Sequence, residues 1–254
     1  VFLVAPGALD GAGPGDVVRL TGAEARHAAV VRRVRPGEEL EVVDGDGVRV
    51  RGTAETLAPD EVAVRVAHRA VEPVPAVAVV LVQALAKGDR DELAVEAATE
   101  LGVDAVQPWQ AERSVSVWSG PKVERGVERW SAVAEAAAKQ SRRARVPAVR
   151  PLLRGADLVA ATRAATAAGG AVVVLDGSAA EPLRAVRLPT TGEVLIVVGP
   201  EGGLTVREVA ALAGAGAAVA RLGPHVLRTS TAGPVAVALV SERLGRWAGP
   251  DAGR

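Results

Sequence analysis

Two glycine-bearing stretches late in the chain hold the residues whose types and spacing could do chemistry. Gly199-Pro200-Glu201-Gly202-Gly203 ends an apolar run, Val194 to Val198, and a helix signal follows it. Leu222-Gly223-Pro224-His225-Val226-Leu227-Arg228-Thr229-Ser230-Thr231-Ala232 follows a second apolar run in the same way. Glycine lets backbone approach a ligand closely, and in α/β sheets ligands bind outside the carboxyl ends of strands, where both turns fall. Glu201 could accept a proton, and the planar fork of Arg228 could orient an anionic or carbonyl-bearing substrate. Plainer accounts of the same residues stay open: a tight turn before a capped helix, a solvated helix-start arginine, and a loop histidine at His225.

Several ligand classes are excluded by what is missing. No Gly-Lys-Ser/Thr follows the first turn, so it is no Walker A loop, and the spacing of a dinucleotide fingerprint is absent. There is no Gly-x-Ser-x-Gly elbow, and only three His exist, at 27, 68 and 225, so serine hydrolysis is not expected. No His-Glu-x-x-His and no cluster of carboxylates points to a metal, and the absence of Cys removes thiolate chemistry and Cys-based metal sites. The expectation is no metal.

The elements that must position these residues can be read from periodicity. The chain has 254 residues, 49% of them apolar and zero formal net charge, enough for a real core but without a global basic field for nucleic acid. Up to about residue 70, short runs such as Val17 to Leu20, Glu39 to Val43, Val48 to Arg51 and Glu61 to Val66 alternate apolar with charged, which predicts strands with one wet face. Asp44-Gly45-Asp46-Gly47 suits a hairpin connection, and one helix is predicted over Glu24 to Val34. Val71-Glu72-Pro73-Val74-Pro75 is the best linker. Beyond it, continuous apolar strands (Val77 to Val82, Val103 to Val106, Ala171 to Leu175, Val194 to Val198, Val219 to Leu222) alternate with helices, which predicts an α/β domain with a mostly parallel sheet. Asp89 to Leu101 should be a helix with Leu93, Ala97 and Leu101 on its apolar stripe and Gly102 at C′. A helix opening at Pro121 carries Val123, Val127, Trp130, Ala134 and Ala137 on one face. Thr205 and Glu208 fit a capping box. The predicted domains are 1–72 and 76–248. No apolar run approaches the ~20 residues of a membrane span and no signal peptide precedes Val1, so the expectation is a soluble cytoplasmic protein.

Taken together, the two turns resemble a known family. Gly199 to Leu204 with Glu208, then Leu222-Gly223-Pro224, Val226 to Thr229 and Thr231-Ala232, are similar to the RsmE family, the 16S ribosomal RNA (uracil-N3)-methyltransferases of the SPOUT superfamily. Arg26-His27 with Arg32 and Gly37, Lys87 to Arg90, Thr99 to Val103, and Gln140-Ser141 with Arg143 and Pro147 resemble further family elements, in order along the chain. Ala97, Lys139 and Ser230 depart from the usual pattern, which has Lys, Glu and Glu there.

The resemblance implies a SPOUT-type parallel sheet with a trefoil knot, preceded by a small PUA-like β-barrel that binds RNA. It implies S-adenosyl-L-methionine held in the knot, largely by backbone groups of Leu175 to Ser178, Gly199 to Gly203 and Leu222 to Leu227. The cofactor set is then Leu175, Gly199, Pro200, Glu201, Gly202, Gly203, Leu222, Gly223, Val226, Leu227, Thr231 and Ala232. It further implies a homodimer acting on 16S rRNA within the small ribosomal subunit. Methyl transfer needs an in-line nucleophile, and uracil N3 must lose a proton, so the catalytic candidates are Arg228 as stabiliser of the uracil anion and Glu201 as proton acceptor. The candidates for RNA contact are Arg26, His27, Arg32, Arg33, Arg113, Gln140, Arg142 and Arg143. Two other readings remain: a SPOUT methyltransferase acting on another RNA, and an RNA-binding assembly factor without turnover.

Overall fold

Alternation of apolar and charged residues in the first seventy positions folds into a five-stranded curled sheet. The computed structural model describes residues 1–58 and 60–247; the predicted domain end at 248 lies outside them. The sheet is built from β1 (Phe2–Leu3), β2 (Val17–Thr21), β3 (Glu39–Val43), β4 (Val48–Leu57) and β5 (Glu61–Val71), in the spatial order β1-β3-β4-β5-β2. All its ladders are antiparallel except β1 on β3. Register shifts at Arg51/Gly52 and Ala54/Thr56 insert single unpaired residues, and such bulges bend a strand and raise its twist. The inward side chains, among them Leu20, Val42, Val50, Val62 and Val64, are fully buried. Between β2 and β3 lies the predicted helix, in altered form. α1 (Gly22–Arg26) passes directly into a π-helical turn over His27–Val31, closed by Arg32 N–H donating to the His27 carbonyl at 2.8 Å.

The chain divides into two compact units, and the first takes in Val1–Val74 together with a distant segment, Ala138–Val146. That segment is held by backbone bonds from Val146 N–H to Gly45 O (2.9 Å) and from Gly47 N–H to Ala144 O (3.1 Å). The Arg145 guanidinium donates to Glu72 O and that of Arg49 to Arg142 O, each at 2.7 Å. Lys139, one of the departures from the family pattern, pairs with Glu24.

Among the described residues, the second unit comprises Pro75–Ala137 and Pro147 to Trp247. Its strands are β6 (Val77–Ala84), β7 (Ala105–Gln110), β8 (Ala148–Val149), β9 (Leu153–Arg154), β10 (Ala171–Leu175), β11 (Gly192–Val198) and β12 (Ala218–Ala220). They run β12-β10-β11-β6-β7-β8, with β9 also on β7, and every ladder is parallel. Its helices are α2 (Arg90–Glu100), α3 (Pro121–Gln140), whose last turn belongs to the first unit, α4 (Gly155–Ala167), α5 (Val206–Gly214) and α6 (Thr229–Arg243). Both faces of the sheet are buried, one against Trp118, Trp130 and α6, the other against Leu158 and Leu212. That is why its strands read as unbroken apolar runs.

The predicted face of α3 points inward, with Trp130 fully buried. Trp118 meets Trp130 edge-on at 5.5 Å and lies over Gly126, where a Cβ would stand 2.6 Å from the indole. The predicted stripe of α2 holds at Leu101, which packs against the core, but not at Leu93. Leu93 is 47% exposed, whereas Ala94, Val95 and Ala98 are buried. α2 packs on α6, and the small residues it buries, Ala94 and Ala98, suit close packing of helices. No helix of the described residues is long and apolar enough to cross a membrane.

Candidate active site

Three neighbouring strands, β12, β10 and β11, end side by side, and the loop after each contributes one wall of a cavity of about 920 Å³. Small-molecule and cofactor pockets span roughly 300–1,000 Å³. Leu175, Gly199, Pro200, Glu201, Gly203, Leu222, Gly223, Val226, Leu227, Arg228 and Ala232 all line it, so most of the residues singled out in the sequence converge. Gly202 and Thr231 are not among the lining residues. The space beside the Gly202 Cα is filled by Arg113, 3.2 Å from where a Cβ would be, and the Thr231 N–H closes the first turn of α6 on Arg228 O at 2.9 Å.

The glycine turn is shaped by its own backbone. Gly203 N–H donates to Pro200 O at 2.9 Å, with Gly203 at φ +68°, a left-handed conformation that side chains disfavour. The capping box forms as predicted. The Thr205 hydroxyl accepts from Glu208 N–H at 3.1 Å, and a Glu208 oxygen accepts from Thr205 N–H at 2.8 Å. The other Glu208 oxygen accepts from Glu112 N–H at 2.8 Å. Arg113, proposed from sequence for RNA, donates instead to Gly202 O at 3.0 Å and Leu204 O at 3.3 Å, so it clamps the turn.

Glu201 is committed too. One oxygen accepts from Lys87 N–H at 3.0 Å and from the Arg90 guanidinium at 2.8 Å. Burial pushes its carboxyl up, but hydrogen bonds from its own amide, from Arg90 and from Lys87 N–H outweigh that and hold it below the ordinary carboxylate range. An ionised, engaged carboxylate is a weak proton acceptor near neutral pH. Arg228 is the opposite case. It is exposed at the cavity wall, its backbone is the N-cap of α6, and its side chain makes no capping bond. No described residue pairs with its guanidinium.

The sequence missed several lining residues. Arg90 sits in the Lys87-Gly88-Asp89-Arg90 element already quoted, and Val206, Val209 and Ala210 repeat at i, i+3, i+4 just after the capping box, so both had a signal. Asp176, which accepts from Ser178 N–H and Oγ at 2.7 Å each, and Thr229 lie inside stretches already quoted, Leu175 to Ser178 and Val226 to Thr229, though neither was singled out. His225 also lines the cavity.

All the other RNA candidates fall in the first unit. Arg26, Arg32, Arg33, Gln140 and Arg142 are exposed, and Arg143 is half-buried. His27 packs edge-on against Phe2 at 5.9 Å. Arg32 approaches Glu38 only at 3.9 Å. Among the described residues, Arg33 (φ +51°) and Arg142 (φ +57°) are the only non-glycines with positive φ. Strain of that kind concentrates at binding and active sites.

Comparison with known proteins fits this geometry. A model of the RNA methyltransferase domain matches residues 73–241, and one of the RNA methyltransferase PUA domain matches 20–66. In class, then, this is an RNA methyltransferase carrying a PUA domain. Ribosomal RNA small subunit methyltransferase E of Mycobacterium bovis is 46% identical over 233 residues, 92% of this chain and 89% of that protein. The Bacillus subtilis protein of the same name is 30% identical over 87% of this chain and 88% of its own length. The crystal structure of the Neisseria gonorrhoeae ribosomal RNA small subunit methyltransferase E, bound to S-adenosyl methionine, matches with a TM-score of 0.82 at 27% identity, covering 95% of this chain and 96% of that one. The chain belongs to the ribosomal RNA small subunit methyltransferase E family.

Proposed function

We propose that this enzyme transfers a methyl group from S-adenosylmethionine to N3 of a specific uridine in the decoding region of 16S ribosomal RNA. The observation that carries the reading is the cavity walled by the ends of β10, β11 and β12, with the exposed Arg228 lining it and paired with none of the described residues. Leu175, the glycine turn and Leu222 to Leu227 hold the donor largely through main-chain groups. The sulfonium supplies the methyl, so the protein must position uracil in line with it and stabilise the negative charge that appears on the ring as N3 loses its proton. Arg228 is the group placed to do so. Glu201 braces the turn, and the N3 proton leaves to solvent at the exposed edge of the cavity, with S-adenosylhomocysteine departing as the neutral thioether. The first unit supplies the RNA surface and the second the chemistry. A homodimer, a cytoplasmic location and a trefoil knot, with α6 passed through the cofactor loops, belong to the same proposal. Half-exposed Leu93 and Leu239, on the packed pair α2 and α6, support the dimer.

The test is mass-spectrometric mapping of small-subunit RNA from a deletion strain. One N3-methyluridine should be lost and then restored by the purified protein with S-adenosylmethionine. RNA that lacks no such mark sinks the assignment.

Two further outcomes are expected. Because the folded pKa of Glu201 is depressed, the bracing it gives is complete above the ordinary carboxylate pKa of about 4.3 and is lost as pH falls through the lowered value. Glu201→Gln should therefore keep the native shape of the pH–rate profile near neutrality and weaken cofactor binding about fivefold. That factor corresponds to the ~1 kcal/mol of a partly exposed charge-assisted bond. A missing acid limb in the variant would restore Glu201 as the base. Arg142→Ala should lower the slope of log K against log salt for RNA binding by about one phosphate contact, and an unchanged slope removes Arg142 from the interface.

A further inference from the structure

We propose that Gln83 and Thr229 are positioning residues whose hydrogen-bond relay locks the glycine turn to the start of α6 and so fixes Arg228 over the methyl-donor pocket. The inference rests on the methyltransferase reading of that pocket. Gln83 lies near the end of β6, in register with Val198, the last residue of β11. Its side chain is completely buried, and Thr229, which lines the cavity next to Arg228, is 6% exposed. The Thr229 hydroxyl donates to Gly199 O at 2.7 Å and receives the Gln83 side-chain N–H at 2.8 Å.

The direction of the relay follows from counting hydrogens. A hydroxyl has one to give, and here it goes to the Gly199 carbonyl. Toward Gln83 the oxygen can only accept, so the amide must present its NH2. That orientation turns Gln83 Oε1 toward α6, 3.2 Å from where a Cβ on Gly233 would stand, and leaves this oxygen without a hydrogen-bond partner among the described residues. A buried, unsatisfied acceptor is costly, and the arrangement that tolerates it is the one that keeps the relay intact. Three elements meet in it: β6, the first residue of the glycine turn, and the first residue of α6, which follows Arg228. Reacting groups must be held to fractions of an ångström, and a shift of about 1 Å costs on the order of 100-fold.

The experiment uses the full-length protein and three variants: Thr229→Val, Thr229→Ser and Gln83→Glu. Thermal melts confirm folding, calorimetry gives the Kd for S-adenosylmethionine, and single-turnover methyl transfer to small-subunit RNA is followed across pH. Thr229→Val keeps the shape and deletes both bonds. It should slow transfer by about 30- to 100-fold while changing the Kd by no more than about threefold, because Glu201 and the capping box still hold the turn. Thr229→Ser should recover to within about threefold of native. In Gln83→Glu, a protonated carboxyl donates to Thr229 as the amide does, whereas the ionised form can only accept and pulls the hydroxyl hydrogen away from Gly199. Burial raises that carboxyl's pKa, so the variant should be near native at the acid end and lose activity as pH rises through the raised value.

A residue with a purely structural role would lower the rate by one factor at every pH. The relay is overturned by a Thr229→Val protein at native rate, by failure of Ser to rescue, or by a Gln83→Glu profile parallel to the native one. Should Thr229→Val not fold, the Gln83→Glu profile decides. A native protein that methylates nothing under these conditions refutes the proposed function instead, which the same assay reads directly.

Discussion

Arg228→Ala is expected to slow methyl transfer by about two to three orders of magnitude, the usual cost of removing a group aimed at developing charge, with S-adenosylmethionine affinity close to native. The substitution is clean for a structural reason. Arg228 caps α6 through its backbone and makes no side-chain capping bond, so removing the guanidinium withdraws nothing that holds the helix. Lining the pocket at its edge and exposed, it also leaves the loops around the donor intact. The loss should therefore fall on the transfer step and not on donor binding. Arg228→Lys should recover part of the rate, since a point charge remains, but not all of it, since the planar fork that can address a carbonyl oxygen is gone. Stopped transfer with weakened donor binding to match would make Arg228 a cofactor residue. An undiminished rate would remove it from the mechanism.

The sequence was most informative where local chemistry and final structure coincide. The capping box at Thr205 and Glu208, the C′ glycine at 102 and the inward face of α3 all depend on neighbours in the chain, and all were readable. The unbroken apolar strands announced a sheet covered on both faces. What failed depended on partners far away. The stripe through Leu93 is the more hydrophobic one, yet α2 turns Ala94, Val95 and Ala98 inward, a choice set by the distant elements packed on it, α6 and β6. The return of Ala138–Val146 to the first unit rests on bonds to Gly45, Gly47, Arg49 and Glu72, and no local pattern encodes them. In the site, the glycine turns were legible as turns and, through the family resemblance, as cofactor loops. The commitments of Glu201 to Arg90 and of Arg113 to Gly202 were not legible, because each joins residues about ninety or more apart. The pairing of Thr229 with Gln83 stayed hidden for a similar reason: Gln83 belongs to a strand read only as apolar.

The largest stability effect should come from a residue that carries no chemistry at all. Gly52 lies in β4 at a register shift against β5, and a Cβ there would stand 2.2 Å from the Arg65 carbonyl oxygen and 2.8 Å from its carbon. Neither atom belongs to a flexible side chain, so Gly52→Ala must part the two strands. β5 is the centre of that ladder, bonded to β4 on one side and β2 on the other, and Val62, Val64 and Val66 behind it are core. A cost above about 3 kcal/mol, the upper range of overpacking, should open the first unit. The second unit has its own two apolar layers and the whole cavity, so the variant should still bind S-adenosylmethionine with near-native Kd while losing methylation of ribosomal RNA. Calorimetry beside a transfer assay separates the two readouts. If donor binding disappears together with RNA methylation, the units do not fold independently, and the assignment of RNA to one and chemistry to the other must be redrawn. If both survive, the β4–β5 ladder accommodates the methyl group, and the close approach at Gly52 is not what shapes the sheet.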